Sequence, residues 1–444
     1  MRTRLFVSSG AVTALLLLLI GGSPEQPLEA EVLKPLLDSP MEGAICLMPP
    51  EPSAYAQTRG GGAGGRIGEE GPRKSVLDWP VEGTATIDAM PTRTVFDPYP
   101  TFGGLGLDDT AGRAFFSDSS LSGLLSYATS AGSHSTDITE SQTHVIGPDT
   151  GIGFIAGVAV DPERREVYAV NNDGGGIVTF GYDQTGAVRP VRGLDTPHQS
   201  WGISLSLARD EIAVSVQQMS GIVFYRRGAA QLEPPLRTLR GYETGLADPH
   251  GVAYDDQRKE LIVANHGNWT ELRPYSPYDP LTQRTQAYQP GRFEPPSIRI
   301  FEASAAGNVA ALRSIRGDKT GLNWPMGLTV DTERNEIVVA NYGDNSIRFF
   351  RRTDDGDVRP SRMINGPRTG IVGPVDVKVD RVRNEIWVAN YSDHTAVIFD
   401  RDASGDVAPK RIVRNAPKDS PALTFTNAAA AAYDTKRDAL IVPN

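Results

Sequence analysis

The sequence predicts an all-β fold: a seven-bladed β-propeller of four-stranded antiparallel blades, closed by a composite blade from the two ends of the chain. Three observations lead there. One phrase recurs: residues 325–350 read PMGLTVDTERNEIVVANYGDNSIRFF, residues 374–399 read PVDVKVDRVRNEIWVANYSDHTAVIF, and residues 249–268 read PHGVAYDDQRKELIVANHGN. The aspartate closing the first strand of each copy marks a period: Asp108, Asp161, Asp255, Asp331, Asp380 and Asp434, with Ser206 in a degenerate copy. These markers fall 45 to 54 residues apart, except for 76 between Asp255 and Asp331, and a unit of about 40–50 residues is a propeller blade. Finally, 46 glycines and 33 prolines suit many short strands joined by tight turns.

Each unit divides into four strands. In the fifth, strand one runs to Asp331, where Asp331 and Asn335 flank a polar turn that Asx side chains can cap. Strand two, residues 336–340, is almost unbroken apolar sequence, as expected of a strand covered on both faces. Gly343 and Asn345 supply the next turn. Strand three spans residues 347–350 and strand four residues 359–364. Strand four carries proline and long cations in most copies, including Arg189, Arg192, Arg237, Arg313, Arg362 and Arg411, which reads as protection of a free edge. The last unit offers only two inner strands, 429–434 and 438–442, and residues 85–88 and 91–96 look like two outer ones; together they make the composite seventh blade.

The domain layout follows. Arg2 and Arg4 precede the apolar stretch 11–22, the pattern of a signal peptide over residues 1–30, and the predicted location is secreted or periplasmic. Residues 31–78, rich in Pro, Glu and Gly, read as a flexible linker, and 79–444 as the propeller. Cys46 is the only cysteine, so no intrachain disulfide and no CxxC metal or haem motif is present. A net charge of −10 without basic tracts argues against nucleic acid as a partner. After cleavage of the signal no segment is long and apolar enough to span a membrane.

With Pro-x-Gly-(Val/Leu)-x-x-Asp, Ile-Val-Val-Ala-Asn and Asn-Ser-Ile quoted above, the chain resembles the NHL and YVTN propeller repeats, over residues 79–444. That group also holds the SMP-30/gluconolactonase and streptogramin B lyase families. Asn265, Asn341 and Asn390 stand where NHL repeats have aspartate, which tilts the likeness to YVTN. The resemblance implies a propeller fold; enzymes, receptors and scaffolds all use it.

Ligands of such propellers bind at one mouth of the central channel. The residue preceding the strand-one glycine should line it: Gly103, Ala156, Trp201, His250, Met326, Val375 and Ala429. None is acidic, so the carboxylate metal ligands of the lactonases do not carry over. The strand-two asparagines recur too often for ligands and read as turn caps. Four of the six histidines, His198, His250, His266 and His394, fall in loops of this face. His198, His250 and His266 come from adjacent units and form the candidate set for a divalent metal such as zinc; no cofactor is otherwise expected. The insertion at 266–296 carries Trp269, Tyr275, Tyr278, Tyr288 and Phe293, and aromatic side chains on long loops are common binding anchors. No G-x-S-x-G, H-E-x-x-H or P-loop occurs. The expected ligand site is therefore Trp201, His250, Trp269, Tyr275, Tyr278 and Met326, taking a protein, peptide or glycan without catalysis. The alternative is a metal-assisted, lactonase-like hydrolase or lyase.

Overall fold

The computed structural model describes residues 102–119, 121–270, 292–393, 395–416, 432–434, 436 and 439–441. Six four-stranded antiparallel sheets occupy 102–145, 155–195, 200–240, 249–316, 325–364 and 374–414, taken below as blades 1 to 6. Each draws its strands consecutively from the chain, strand one innermost; in blade 5 they are Pro325–Asp331, Glu336–Asn341, Ser346–Arg351 and Arg362–Ile364. The signal peptide, the linker and the start of the expected propeller at 79 lie outside the described residues.

The period-two chemistry of strand two explains how blades stack. In blade 5, Ile337 and Val339 face blade 4 and pack with Ile262, Ile298 and Ile300. The alternate residues Val338 and Ala340 face blade 6 and pack with Val377, Ile386 and Val388. All four are at most 1% exposed, so each valine or isoleucine contributes about 1.5–3 kcal/mol of burial. A strand read as apolar throughout is thus apolar because it has a blade on either side.

The marker residue closes the strand one–two turn as expected. Asp108, Asp255, Asp331 and Asp380 each accept a hydrogen bond through Oδ1 from the backbone N–H three residues on, and Ser206 does so through Oγ. Asp161 accepts from both Glu163 and Arg164. The asparagines ending strand two act as latches to the loop entering strand one. Oδ1 of Asn171, Asn265, Asn341 and Asn390 accepts from the backbone N–H of Gly153, Ala247, Asn323 and Val372.

Among the described residues the ring has six blades, not seven, and no composite blade. One bridge joins the outermost strand of every blade to the strand three–four loop of the next: Val145–Gly186, Leu194–Gln231, Leu239–Gly307, Ile315–Gly356 and Ile364–Gly405. The same bridge, Ile412–Ser133, joins blade 6 to blade 1. At the centre, Leu105 N–H of blade 1 donates to Asp376 Oδ2 of blade 6 at 3.0 Å. No blade fits between them. The seventh marker, Asp434, belongs to a hairpin of Ala432–Asp434 and Ala439–Ile441 that pairs only with itself among the described residues. A strand–turn–strand phrase folds as a hairpin without outer strands, so counting markers overcounts blades. The proposed outer strands at 85–96 lie outside the described residues.

The strand-four arginines also differ from their sequence reading. Arg192, Arg237, Arg313, Arg362 and Arg411 each grip the strand-two glutamate of their own blade in a fork: Glu166, Glu211, Glu260, Glu336 and Glu385. Four of them also reach carbonyls of the following blade, Arg411 contacting Thr129 and Ala131 of blade 1. They stitch the ring as well as occupying its edge.

Two outcomes follow from closure by neighbours. A chain cut to residues 100–416 is expected to melt cooperatively near the temperature of the full chain; a large drop, by calorimetry, would restore a role for the ends. Arg411→Met leaves Glu385, whose side chain is 3% exposed, without its fork. Lys410 stays 3.1 Å from Glu385, so the expected cost in urea denaturation is about 1–3 kcal/mol, the loss of a charged hydrogen bond rather than of every partner.

Candidate functional site

Backbone crowds the centre of the ring. The residue next to each mouth position is glycine in five blades, Gly104, Gly157, Gly202, Gly251 and Gly327. A Cβ at Gly157 would stand 2.3 Å from Trp201 O, at Gly202 2.2 Å from His250 O, and at Gly251 2.3 Å from Met326 O. Blades approach so closely because these positions have no side chain. In blade 6 the position is Asp376, which pairs with Lys378 at 2.6 Å. The remaining space along this lining is about 20 Å³, room for about one water. A larger ligand must sit on the mouth.

At the rim blades 2 to 6 each present two residues, one before strand one and one after strand two, joined by a backbone hydrogen bond. The N–H groups of Asn172, Gln217, His266, Tyr342 and Tyr391 donate to the carbonyls of Phe154, Gln199, Asp248, Trp324 and Gly373. The position before strand one is left-handed in four blades: Gln199 (φ 60°), Asp248 (59°), Trp324 (52°) and Gly373 (58°). Glycine takes that conformation freely, aspartate tolerates it, and a tryptophan there is strained by about 1 kcal/mol or more.

These positions and the mouth residues form one run of rings across blades 2 to 5. Phe154 meets Trp201 edge-on at 6.1 Å between centroids, and Trp201 lies 4.4 Å from His250. His250 stacks on His266 at 3.6 Å and 21°, His266 on Trp324 at 5.2 Å, and Trp324 on Tyr342 at 6.2 Å. Trp201, His250 and Met326 are thus brought together, all buried, with His266 Nε2 2.8 Å from Met326 Sδ.

Asp248 stands beside the imidazole pair, its Oδ1 3.5 Å from His250 Nδ1 and its Oδ2 3.6 Å from His266 Nδ1. Burial pushes the His250 imidazole down to about 3, helped by His266 and opposed by Asp248, so it is neutral at physiological pH. Burial works to raise the Asp248 carboxyl, yet the two histidines and a bond from Gln217 outweigh it and hold the group below its ordinary value.

Three donors, Asp248, His250 and His266, therefore lie within 4.8 Å of one another. His198 is not among them; its Nδ1 bonds the Asp173 carbonyl at 2.7 Å. Zinc requires each imidazole lone pair to point at the ion in the ring plane. Rings stacked at 3.6 Å and 21° cannot both do so, and one would have to rotate out of the stack.

The insertion leaves the rim directly after His266. Trp269–Thr270 pairs with Arg292–Phe293, and Phe293 is 63% exposed. Its base is pinned by the Arg292 guanidinium, 3.7 Å from the Tyr242 ring centre, and by a buried pair between Glu294 and Arg299. Tyr275, Tyr278, Tyr288 and His394 lie outside the described residues. Asp248, Trp324, Phe154 and Tyr342 were absent from the expected site. Phe154, Asp248 and Trp324 stand in the repeat column two residues before the mouth column, and Tyr342 stands just after strand two.

No family model matches the chain, and no curated protein does. Among solved structures, one titled as a nidogen/laminin complex is 17% identical, with a TM-score of 0.41, covering 62% of this chain and 86% of that one. The WD40 β-propeller domain of Doa1 is 12% identical at TM-score 0.44, covering 79% and 90%. Hydrazine synthase from Kuenenia stuttgartiensis is 12% identical at 0.45, covering 71% and 99%. Identities and scores this low carry no functional argument, and the propeller rests on the chain's own sheets. Among the described residues no helix is long and apolar enough to cross a membrane.

The titration of His250 predicts a sign. Unfolded histidine protonates near 6.5 and the folded one near 3, so between those values the unfolded state binds the extra proton. Stability is full above about pH 6.5 and falls with pH below it, by up to about 1.4 kcal/mol per unit from this group. Urea denaturation at pH 7, 6 and 5 should show a shallower slope for His250→Gln than for the native chain.

Proposed function

We propose that this chain is an exported propeller that binds a protein, peptide or glycan at its channel mouth, over blades 2 to 5, and does no chemistry there. The observation that carries this reading is the ring run from Phe154 to Tyr342, with Trp324 kept in a backbone conformation its neighbour position in blade 6 gives to glycine. Packing alone does not call for a strained tryptophan at the rim, whereas a recognition surface does. Export rests on the basic and apolar start of the chain.

Trp324→Gly separates the roles. It removes the strain and an indole, so thermal stability should hold or rise while affinity for the natural partner falls by about 1–3 kcal/mol. A lowered melting temperature with affinity intact would make Trp324 a packing residue.

A second reading, a metal-assisted hydrolase or lyase, draws on the proximity of Asp248, His250 and His266. Elemental analysis of the purified chain decides between them. The stacked imidazoles predict substoichiometric zinc; near-stoichiometric zinc that disappears in His250→Ala would favour the enzyme.

A further inference from the structure

Among the described residues at the foot of the insertion, three guanidiniums gather round one carboxylate. Glu294, itself buried, holds two of them, Arg292 through Nε and Arg299 through Nη2 at 3.0 Å. The third stands on the same sheet face. Strand three of blade 4 is Ser297–Glu302 and strand four Arg313–Arg316, with Ser297 opposite Arg316 and Arg299 opposite Ser314. Residues directly opposite in an antiparallel pair share a face, so Arg299, Ser314 and Arg316 lie side by side. Arg316 is exposed and makes no ion pair among the described residues. The Arg299 side chain is 8% exposed. Burial pushes its guanidinium below the ordinary range; Glu294 opposes that, and the Arg316 and Arg292 charges add to it. Ser314 Oγ is buried without a hydrogen-bond partner. Asp355 of blade 5 is engaged by the backbone N–H groups of Ser314 and Gly356 rather than by Arg316. Blade 5 has the same frame in balance. There Arg348 pairs with Asp344, and Met363 and Asn365 stand where blade 4 has Ser314 and Arg316.

We propose that Arg292, Arg299 and Arg316 hold a doubly charged oxyanion, sulfate or phosphate, at the foot of the insertion, with the Ser314 hydroxyl as a further donor. The site lies outside the run of rings from Phe154 to Tyr342 and stands whether or not the mouth binds a ligand. One carboxylate in contact with this group leaves two positive charges over, which a dianion offsets. Guanidinium forks match the edges of an oxyanion, and bonds between ionised partners are about twice as strong as neutral ones. Arg292 and Arg316 reach solvent, while Arg299 forms the floor beneath them. The net charge of −10 opposes an anion at long range, but at physiological salt exposed charges beyond about 8 Å are largely screened.

The test is titration calorimetry of the full chain in a buffer free of both ions. Sodium sulfate, sodium phosphate and methyl phosphate are the probes and sodium acetate the control, all at one ionic strength set with sodium chloride. At least one dianion should bind saturably, at least about tenfold more tightly than acetate. Arg316→Gln should weaken that binding at least about tenfold. Because Arg316 is exposed and unpaired, this variant should fold, and without the dianion its melting temperature should match or exceed the native value. Added dianion should raise the native melting temperature and leave that of Arg316→Gln nearly fixed. Arg359→Gln, which removes an exposed arginine of blade 5, should bind as the native chain does. Tighter binding of methyl phosphate than of inorganic phosphate would identify an esterified group as the occupant, and the reverse a free ion. Dianion binding no tighter than acetate, binding retained in Arg316→Gln, or binding lost equally in Arg359→Gln would overturn the proposal.

Discussion

The forked pair between a strand-four arginine and a strand-two glutamate is the interaction on which the ring most depends. It spans three strands of one blade and then, through the remaining N–H groups, ties that blade to the next. Arg237 reaches Ala303 and Ala305, Arg362 reaches Ala403, and Arg411 reaches Thr129 and Ala131. Blade 1 has no such pair, and there Arg113 fills the place, joining Ser126 to the Tyr182 carbonyl of blade 2. The guanidiniums also lie over rings, Arg237 over Phe224 and Arg362 over Phe349. Removing one partner leaves a buried charge, so the pairs impose registry more than they add stability. Because the blade 6–1 seam carries the same device as the others, the ring closes with no strand contributed from elsewhere.

Closure at six blades has a consequence for the site. The inner strands come near enough that only glycine fits beside the neighbour's carbonyl at Gly157, Gly202 and Gly251, and the central space shrinks to about 20 Å³. The Asp376–Lys378 pair fills what a wider ring would leave open. The proposed recognition surface therefore lies at the rim, where blades 2 to 5 each offer two side chains on a fixed backbone frame. The aromatic and histidine residues of blades 2 to 5 fall in these rim positions and in the mouth column beside them.

Much of this was legible beforehand. The repeat, the aspartate turn and the doubly covered strand two are local patterns with a period, and the structure has all three. The blade count was not, because Asp434 heads a hairpin that carries the signature of strands one and two without a complete blade. The arginines were read as edge protection because their partners lie 26 residues away, as Glu166 does from Arg192 and Glu385 from Arg411, and spacing of that length has no local meaning. At the mouth, Trp201, His250 and Met326 could be placed from the column they share. Asp248 and Trp324 could not, since a left-handed backbone leaves no mark when the residue adopting it is not glycine.

That last point bears on what kind of surface the mouth is. A position that accepts glycine in blade 6 carries Gln199, Asp248 and Trp324 in blades 3 to 5, each at a positive φ. For packing alone glycine would suffice, and the conformational cost would vanish. Left-handed non-glycine residues also close the strand one–two turns of blades 2 to 6, as Arg165, Asp210, Lys259, Asn335 and Asn384 do, but at the rim they run blade by blade beside the His250–His266 stack. A tryptophan kept in that conformation is hard to attribute to folding, because folding gains nothing from it. The left-handed indole of Trp324 is thus the feature that packing leaves unexplained, and the proposed recognition surface at the rim of blades 3 to 5 rests on it.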